Sequence, residues 1–155
     1  METTMKDKMS CRGGGAAERT PALVSALAAL WERSVRASHD FLTEEEIRRI
    51  GGYVPEALRA VPVLVTAETD GKPVGFMGLD GEKLEMLFLE PDSRGQGVGE
   101  ALFRLGEARY GLRRTTVNEQ NPAARRFYER MGMTVRRRME RDEEGGPYPL
   151  LYMEK

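Results

Sequence analysis

The residues Arg94-Gly95-Gln96-Gly97-Val98-Gly99 are where this 155-residue chain points most directly to chemistry. An apolar run, Leu84-Glu85-Met86-Leu87-Phe88-Leu89, precedes them, and Val98, Leu102 and Leu105 recur afterwards at helical spacing. The order reads strand, turn, glycine-rich loop, helix. Glycines at alternate positions let a ligand approach the backbone closely. A helix that opens inside such a loop aims unpaired N–H groups and the positive end of its dipole at one point, which suits a phosphate. Two common phosphate loops do not fit. No Gly-Lys-Ser/Thr follows, and Glu100 stands where the last glycine of the dinucleotide fingerprint belongs. A second stretch, Asn118-Glu119-Gln120-Asn121-Pro122, opens a helix with Ala124, Phe127, Tyr128 and Met131 on one face. Asparagine is a good helix cap, and a phenol is a neutral proton donor at pH 7.

These groups need elements to hold them. Thr20-Pro21 starts a helix with a capping hydroxyl and a proline in the first turn. Leu23, Leu27, Leu30, Trp31 and Val35 mark its apolar face, and it stops around residues 38–41. Thr43 and Glu46 form a capping box for a second helix that ends near Gly51-Gly52, and residues 55–60 add a short helical turn. Residues 61–69 and 73–79 read as strands around the hairpin signal Asp70-Gly71. Asp80-Gly81 is a second turn of the same kind, and 84–89 completes a three-strand meander. The helix after the glycine loop ends near Gly111. Residues 112–118 are a strand, the Asn121 helix ends at Gly132, and strands over 133–140 and 149–153 flank a polar loop. Met9-Ser10-Cys11-Arg12 reads as a short first strand. Residues 1–8, polar and aperiodic, read as a disordered tail to one domain over 9–155. The pattern predicts an α+β fold with parallel pairing at one place in the sheet.

Composition narrows the function classes. The 24 basic and 25 acidic residues nearly cancel, so no electrostatic case arises for nucleic acid or an anionic membrane. One cysteine, Cys11, excludes an internal disulfide and fits a reducing cytoplasm. One histidine and one cysteine cannot build a zinc cluster of the usual spacing, so no metal is expected. No run of about 18 apolar residues is present to span a membrane, and the first residues lack the apolar segment of a secretory signal.

The arrangement Arg94, two spacers, Gly97, one spacer, Gly99 resembles the pyrophosphate loop of the GCN5-related N-acetyltransferase (GNAT) family, which holds acetyl-coenzyme A there. Residues 118–133 are similar to that family's segment in which an asparagine opens a helix and a tyrosine follows seven residues later. Met133 replaces the aromatic residue that usually closes it. The order and spacing match from residue 62 to the C-terminus. Arg33-Ser34-Val35, His39-Asp40-Phe41-Leu42, Val74-Gly75-Phe76-Met77 and Pro147-Tyr148-Pro149-Leu150-Leu151 resemble a small bacterial subgroup of the family.

The resemblance implies a three-layer α/β/α arrangement, with a mixed, mostly antiparallel sheet of six to seven strands flanked by about four helices. It implies direct transfer of an acetyl group from acetyl-coenzyme A to a primary amine, on a small molecule, peptide or protein, in a ternary complex. The strand before the loop would bulge and splay, and the backbones of Leu87, Phe88 and Leu89 would hold the pantetheine arm. Arg94, Gly95, Gln96, Gly97, Val98 and Gly99 would hold the pyrophosphate, with Asn118, Asn121, Ala124 and Tyr128 completing the cofactor site. Tyr128 would protonate the departing thiolate as general acid. The general base stays open between Glu85, His39 and water. Arg125, Arg126 and Arg130 would reach the nucleotide 3′-phosphate or form a solvated face, and Tyr148 would meet the acceptor or a homodimer contact. The rival from another class is a non-catalytic acyl-coenzyme A binding module, which would have no turnover to lose at Tyr128.

Overall fold

The structure, a computed structural model, describes residues 9–14, 19–38 and 40–155. The tail expected over 1–8 lies outside the described residues. Branched apolar residues form β2 (Val63–Thr69), and β3 (Lys72–Asp80) and β4 (Lys83–Leu89) continue it as an antiparallel meander. In the first turn Asp70 has φ 52° and Gly71 φ 78°, the pair of positive values that a type I′ hairpin needs. The second turn differs from expectation. Asp80 ends β3 and pairs with Lys83, so the turn residues are Gly81 and Glu82, and only Gly81 is left-handed, at φ 60°. A glycine at the first position alone is the type II′ pattern.

β1 (Met9–Gly14) pairs antiparallel with β2, Met9 opposite Thr69 and Gly14 opposite Leu64. The strand thus forms as expected and runs on through Gly13 and Gly14. After β4, helix α4 (Val98–Tyr110) crosses over to β5 (Arg114–Asn118), which lies parallel to β4. Helix α5 (Pro122–Arg130) leads to β6 (Thr134–Met139), and β7 (Leu150–Glu154) inserts between β5 and β6, antiparallel to both. The seven-stranded order is β1-β2-β3-β4-β5-β7-β6, with one parallel pair. Arg136, Arg137 and Arg138 are exposed along the edge strand β6, where charge discourages further pairing.

The helices begin where the caps require. α1 (Pro21–Ser38) starts after Thr20, whose Oγ1 accepts from the Leu23 N–H at 3.1 Å. α2 (Glu44–Gly51) carries the full capping box: Thr43 Oγ1 accepts from the Glu46 N–H at 3.1 Å, and Glu46 accepts from the Thr43 N–H at 3.0 Å. The short turn expected next forms as α3 (Val54–Ala60).

Alternation along the strands splits the core in two. Leu64 and Phe76 face α1 to α3 and pack with Leu27, Leu30, Trp31, Ile47 and Leu58. Their neighbours Val65 and Met77 face α4 and α5 and pack with Leu102, Phe103 and Tyr128. This is the expected three-layer arrangement. One irregularity matters for function. Gly78 pairs with Met86 and Leu79 with Leu84, so Glu85 is the extra residue of a bulge. The bulge reverses the alternation. Leu84 belongs to the α4–α5 core, whereas Met86 and Phe88 pack on the α1–α3 side.

Candidate active site

β4 and β5 pair only at Lys83 with Arg114 and Leu84 with Thr115. Past the bulge the strands part, and β4 has no strand partner on that side. A cavity of about 460 Å³ opens along the gap, walled by Leu87, Phe88 and Leu89. Arg94, Gly95, Gly97 and Gly99 line one end, and Asn121, Ala124 and Tyr128 line the α5 side.

The loop end is built for an anion. After a single 3-10 turn over Pro91–Ser93, Gly95 adopts φ 77° and Gly97 φ 85°. A Cβ placed on either would meet no atom within 4 Å, so both glycines border open space. The first bond closing α4 runs from the Ala101 N–H to the Gly97 carbonyl at 3.0 Å. The amides of Val98, Gly99 and Glu100 therefore have no acceptor within the helix and project from its positive end.

Helix α1 pins this loop at both ends. The Arg33 guanidinium grips the Glu90 carboxylate, with Nε 3.0 and 3.1 Å from its two oxygens and a further contact from the terminal nitrogen. The next residue, Ser34, receives Arg94, whose guanidinium donates to its carbonyl at 2.9 Å and its Oγ at 3.0 Å. Ser38 Oγ donates to the same carbonyl at 3.0 Å. A cation at the last turn of a helix also complements its dipole.

At the other end Tyr128 is buried, 8% exposed, with its ring against Phe103 and Phe127. Its hydroxyl meets Thr115, whose own Oγ1 donates to the Leu84 carbonyl at 2.9 Å. Burial pushes the phenol well above its ordinary pKa, and the Thr115 hydrogen bond opposes this only in part. The group is a protonated donor throughout the neutral range. Asn121 Oδ1 caps α5 by accepting from the Ala124 N–H at 3.2 Å. Asn118 Oδ1, at the end of β5, is buried with no hydrogen-bond partner among the described residues. A buried acceptor left unmatched is costly, which suits a ligand that donates to it.

A family model for the acetyltransferase (GNAT) domain matches residues 39–150. Peptidyl-lysine N-acetyltransferase YjaB of Salmonella typhimurium is 43% identical over 125 residues, covering 81% of this chain and 86% of that protein. The chain belongs to the GNAT acetyltransferase family. It is an acyltransferase of that type, and the subgroup resemblance read from its sequence is the one to YjaB. The solution structure of apo-form YjaB from Escherichia coli matches this GNAT fold with a TM-score of 0.81 at 39% identity, covering 94% of this chain and 96% of that one. The PaiA N-acetyltransferase of Thermoplasma acidophilum, solved in complex with coenzyme A, shares the fold at a TM-score of 0.70 and 18% identity, over 95% of this chain and 99% of that one.

Among the residues expected in a GNAT site, ten line this cavity: Leu87, Phe88 and Leu89, then Arg94, Gly95, Gly97 and Gly99, then Asn121, Ala124 and Tyr128, while Asn118 is not part of its lining. Others stand apart from it. Val98 is a core residue under the loop, and the Gln96 amide donates to the Asp92 carbonyl at 3.0 Å. Glu85, the bulge residue, is exposed, with its carboxylate 3.4 Å from Lys83 Nζ. His39 lies outside the described residues. Arg130 lines the cavity, while Arg125 pairs with Glu129 at 3.7 Å. The sequence reading missed Ser34 and Ser38 as wall residues of this GNAT cavity. Two serines four apart beside the apolar stripe of a helix carry no local signal of a site; Arg94, sixty positions on, is what brings Ser34 to it.

Proposed function

We propose that this GNAT enzyme transfers an acetyl group directly from acetyl-coenzyme A to the ε-amine of lysine in a peptide or protein, in a ternary complex. Residues 9–155 act as one catalytic domain, in the cytoplasm. The observation that carries this reading is a gap between β4 and β5 with a glycine cradle at one end and a buried, protonated Tyr128 at the other. The peptidyl-lysine acceptor is supported by the name and 43% identity of the YjaB relative.

When bound, acetyl-coenzyme A supplies an acetyl group activated as a thioester. The loop amides and the α4 dipole hold the pyrophosphate. The backbone of Leu87 to Leu89, paired with β3 but without a strand on its β5 side, holds the pantetheine arm in the manner of an added strand, and N–H groups on that side can stabilise charge on the reacting carbonyl oxygen. The acceptor ammonium loses its proton to water, Glu85 or His39. Tyr128 donates its proton to the departing sulfur. Asn118 and Asn121 offer amide groups along the cofactor path.

The test incubates the protein with acetyl-coenzyme A and a lysine peptide and follows both free thiol and peptide mass. Thiol release that requires the peptide, with one acetyl group gained on lysine, is the expected result. Thiol release without peptide acetylation, or no thermal shift with millimolar acetyl-coenzyme A, would overturn the reading.

A further inference from the structure

A second, smaller cavity, about 160 Å³, lies at the closed end of the β4–β5 gap. Lys83, Arg114, Arg136, Tyr152 and Glu154 line it, with Thr115 and Met153, and Glu154 stands opposite Arg114 in the β5–β7 register. Tyr152 stands between Leu151 and Met153, both in the α4–α5 core, so it points to the opposite face of the sheet. Arg114 does the same beside Thr115, whose hydroxyl meets Tyr128. Thr115 thus links the two cavities through the sheet: the acid stands on one side and the basic pocket on the other.

Five cationic side chains, Lys83, Arg113, Arg114, Arg136 and Arg137, surround the pocket with four carboxylates, Glu82, Glu85, Glu143 and Glu154, a slight positive excess. Lys83 Nζ is paired with Glu143 at 3.2 Å and Glu85 at 3.4 Å. Glu154 and Glu82 are both engaged by Arg113, at 3.4 and 3.5 Å. Arg137 lies over the Tyr152 ring, 4.7 Å from its centroid. That leaves Arg114 and Arg136, which have no carboxylate partner among the described residues. Arg136 owes its position to a defect in pairing. Val135 pairs with Met153 and Arg137 with Tyr152, so Arg136 is the extra residue of a bulge on β6. Bulges re-aim the side chain they insert. Two guanidiniums without partners, beside a phenol and in a small concavity, form a site for a carboxylate.

We infer that Arg114 and Arg136 bind a carboxylate side chain of the acceptor, selecting lysines that have Asp or Glu within about three residues along an extended chain. This rests on the proposed transfer to peptidyl lysine. α4, α5 and the glycine loop enclose the gap on the Tyr128 side, so an acceptor chain reaches it from the face where this pocket opens.

The test uses synthetic lysine peptides with a single Glu at each position from three before to three after the lysine, each with a Gln counterpart. The best Glu peptide should exceed its counterpart in kcat/KM by about fivefold, as expected for a partly exposed charge-assisted contact. That ratio should fall to about 1 in Arg114→Gln and in Arg136→Gln, and in the wild type as salt is raised. The ratio is internal to each variant, so a general loss of folded protein does not imitate the effect. Equal rates for every Glu and Gln pair in the wild type, or a Glu preference that survives both substitutions, would overturn the pocket while leaving lysine acetylation intact. If no peptide is acetylated, the acceptor reading fails, and the pocket is then judged by fluorescence anisotropy with labelled peptides. There, Glu-selective binding that Arg114→Gln abolishes upholds it, and equal binding of Glu and Gln peptides overturns it.

Discussion

Gly97 and Gly71 make a matched pair that separates backbone strain from cofactor binding. Gly97 has φ 85° and Gly71 φ 78°, and a Cβ on either would touch nothing within 4 Å. Alanine at either site therefore meets the same left-handed penalty, about 1–2 kcal/mol. At roughly 2–4 °C per kcal/mol for a chain of this size, both variants should melt about 2–8 °C below wild type without ligand. The two positions differ in what the open space is for. Gly71 lies in the β2–β3 hairpin, whereas Gly97 lines the large cavity. Acetyl-coenzyme A at a hundredfold over its Kd should add about 2.7 kcal/mol, or roughly 5–11 °C, to wild type and to Gly71→Ala alike. In Gly97→Ala the new methyl occupies the cradle, and each tenfold loss of affinity removes about 1.4 kcal/mol of that gain. The assay is a thermal melt of three proteins at several ligand concentrations. A full ligand shift in Gly97→Ala would refute the cradle. Unequal losses in the unliganded variants would refute the strain argument.

Four further outcomes follow from the geometry. Tyr128→Phe should lower kcat by about 100-fold or more while keeping the acetyl-coenzyme A melting shift, as befits a lost proton donor. Equal loss of turnover and of cofactor affinity would instead make Tyr128 a wall residue. The same phenol gives a pH signature. Its folded pKa lies above the ordinary value of about 10, so the unfolded chain ionises first and folding stability falls as pH rises past about 10. Denaturant melts at pH 9 and 11 should show a smaller alkaline loss in Tyr128→Phe than in wild type. Arg33→Ala removes the grip on Glu90, a pair whose Arg33 side chain is 53% exposed, so it should alter stability by less than about 1 kcal/mol. Its effect should appear as a raised KM for acetyl-coenzyme A at unchanged kcat, and an unchanged KM would sink the idea that α1 positions the loop. Thr43→Ala, which breaks the α2 capping box, should cost about 1 kcal/mol and lower the melting temperature by roughly 2–4 °C without changing cofactor affinity.

What was legible in the sequence is what neighbouring residues decide among themselves. Thr43 and Glu46 form their box within one helical turn, Asp70-Gly71 needs only its own two φ values, and Asn121 caps the helix it opens. The glycine loop is of this kind too, because close approach and a helix start are properties of six consecutive residues. The less legible features depend on partners distant in sequence. The turn after β3 moved by one residue because the register with β4 placed Asp80 opposite Lys83. Ser34 joined the site because Arg94, sixty positions away, reaches its carbonyl and hydroxyl. Arg136 left the alternating edge pattern because the pairing of β6 with β7 slips by one residue there.

The bulge at Glu85 shows how such a distant term creates the site. In the sequence Glu85 is a polar residue in an apolar run and a candidate general base, and the family resemblance implies a bulge in this strand without saying at which residue. Once β3 sets the register, Glu85 becomes the inserted residue, and the alternation of β4 reverses. Without it, Leu84, Met86 and Phe88 would share one face. With it, Leu84 packs under α4 while Met86 and Phe88 turn toward α1, and pairing with β5 ends at Leu84 and Thr115. The residue where pairing ends is also the one whose hydroxyl meets Tyr128. The gap thus opens beside the one extra residue, next to the threonine that meets its acid. Deleting Glu85 should restore a regular strand, return β4 to pairing with β5, and abolish acetyl-coenzyme A binding in a protein that keeps its secondary structure. A deletion variant that still binds the cofactor with wild-type affinity would show that the splay has another cause.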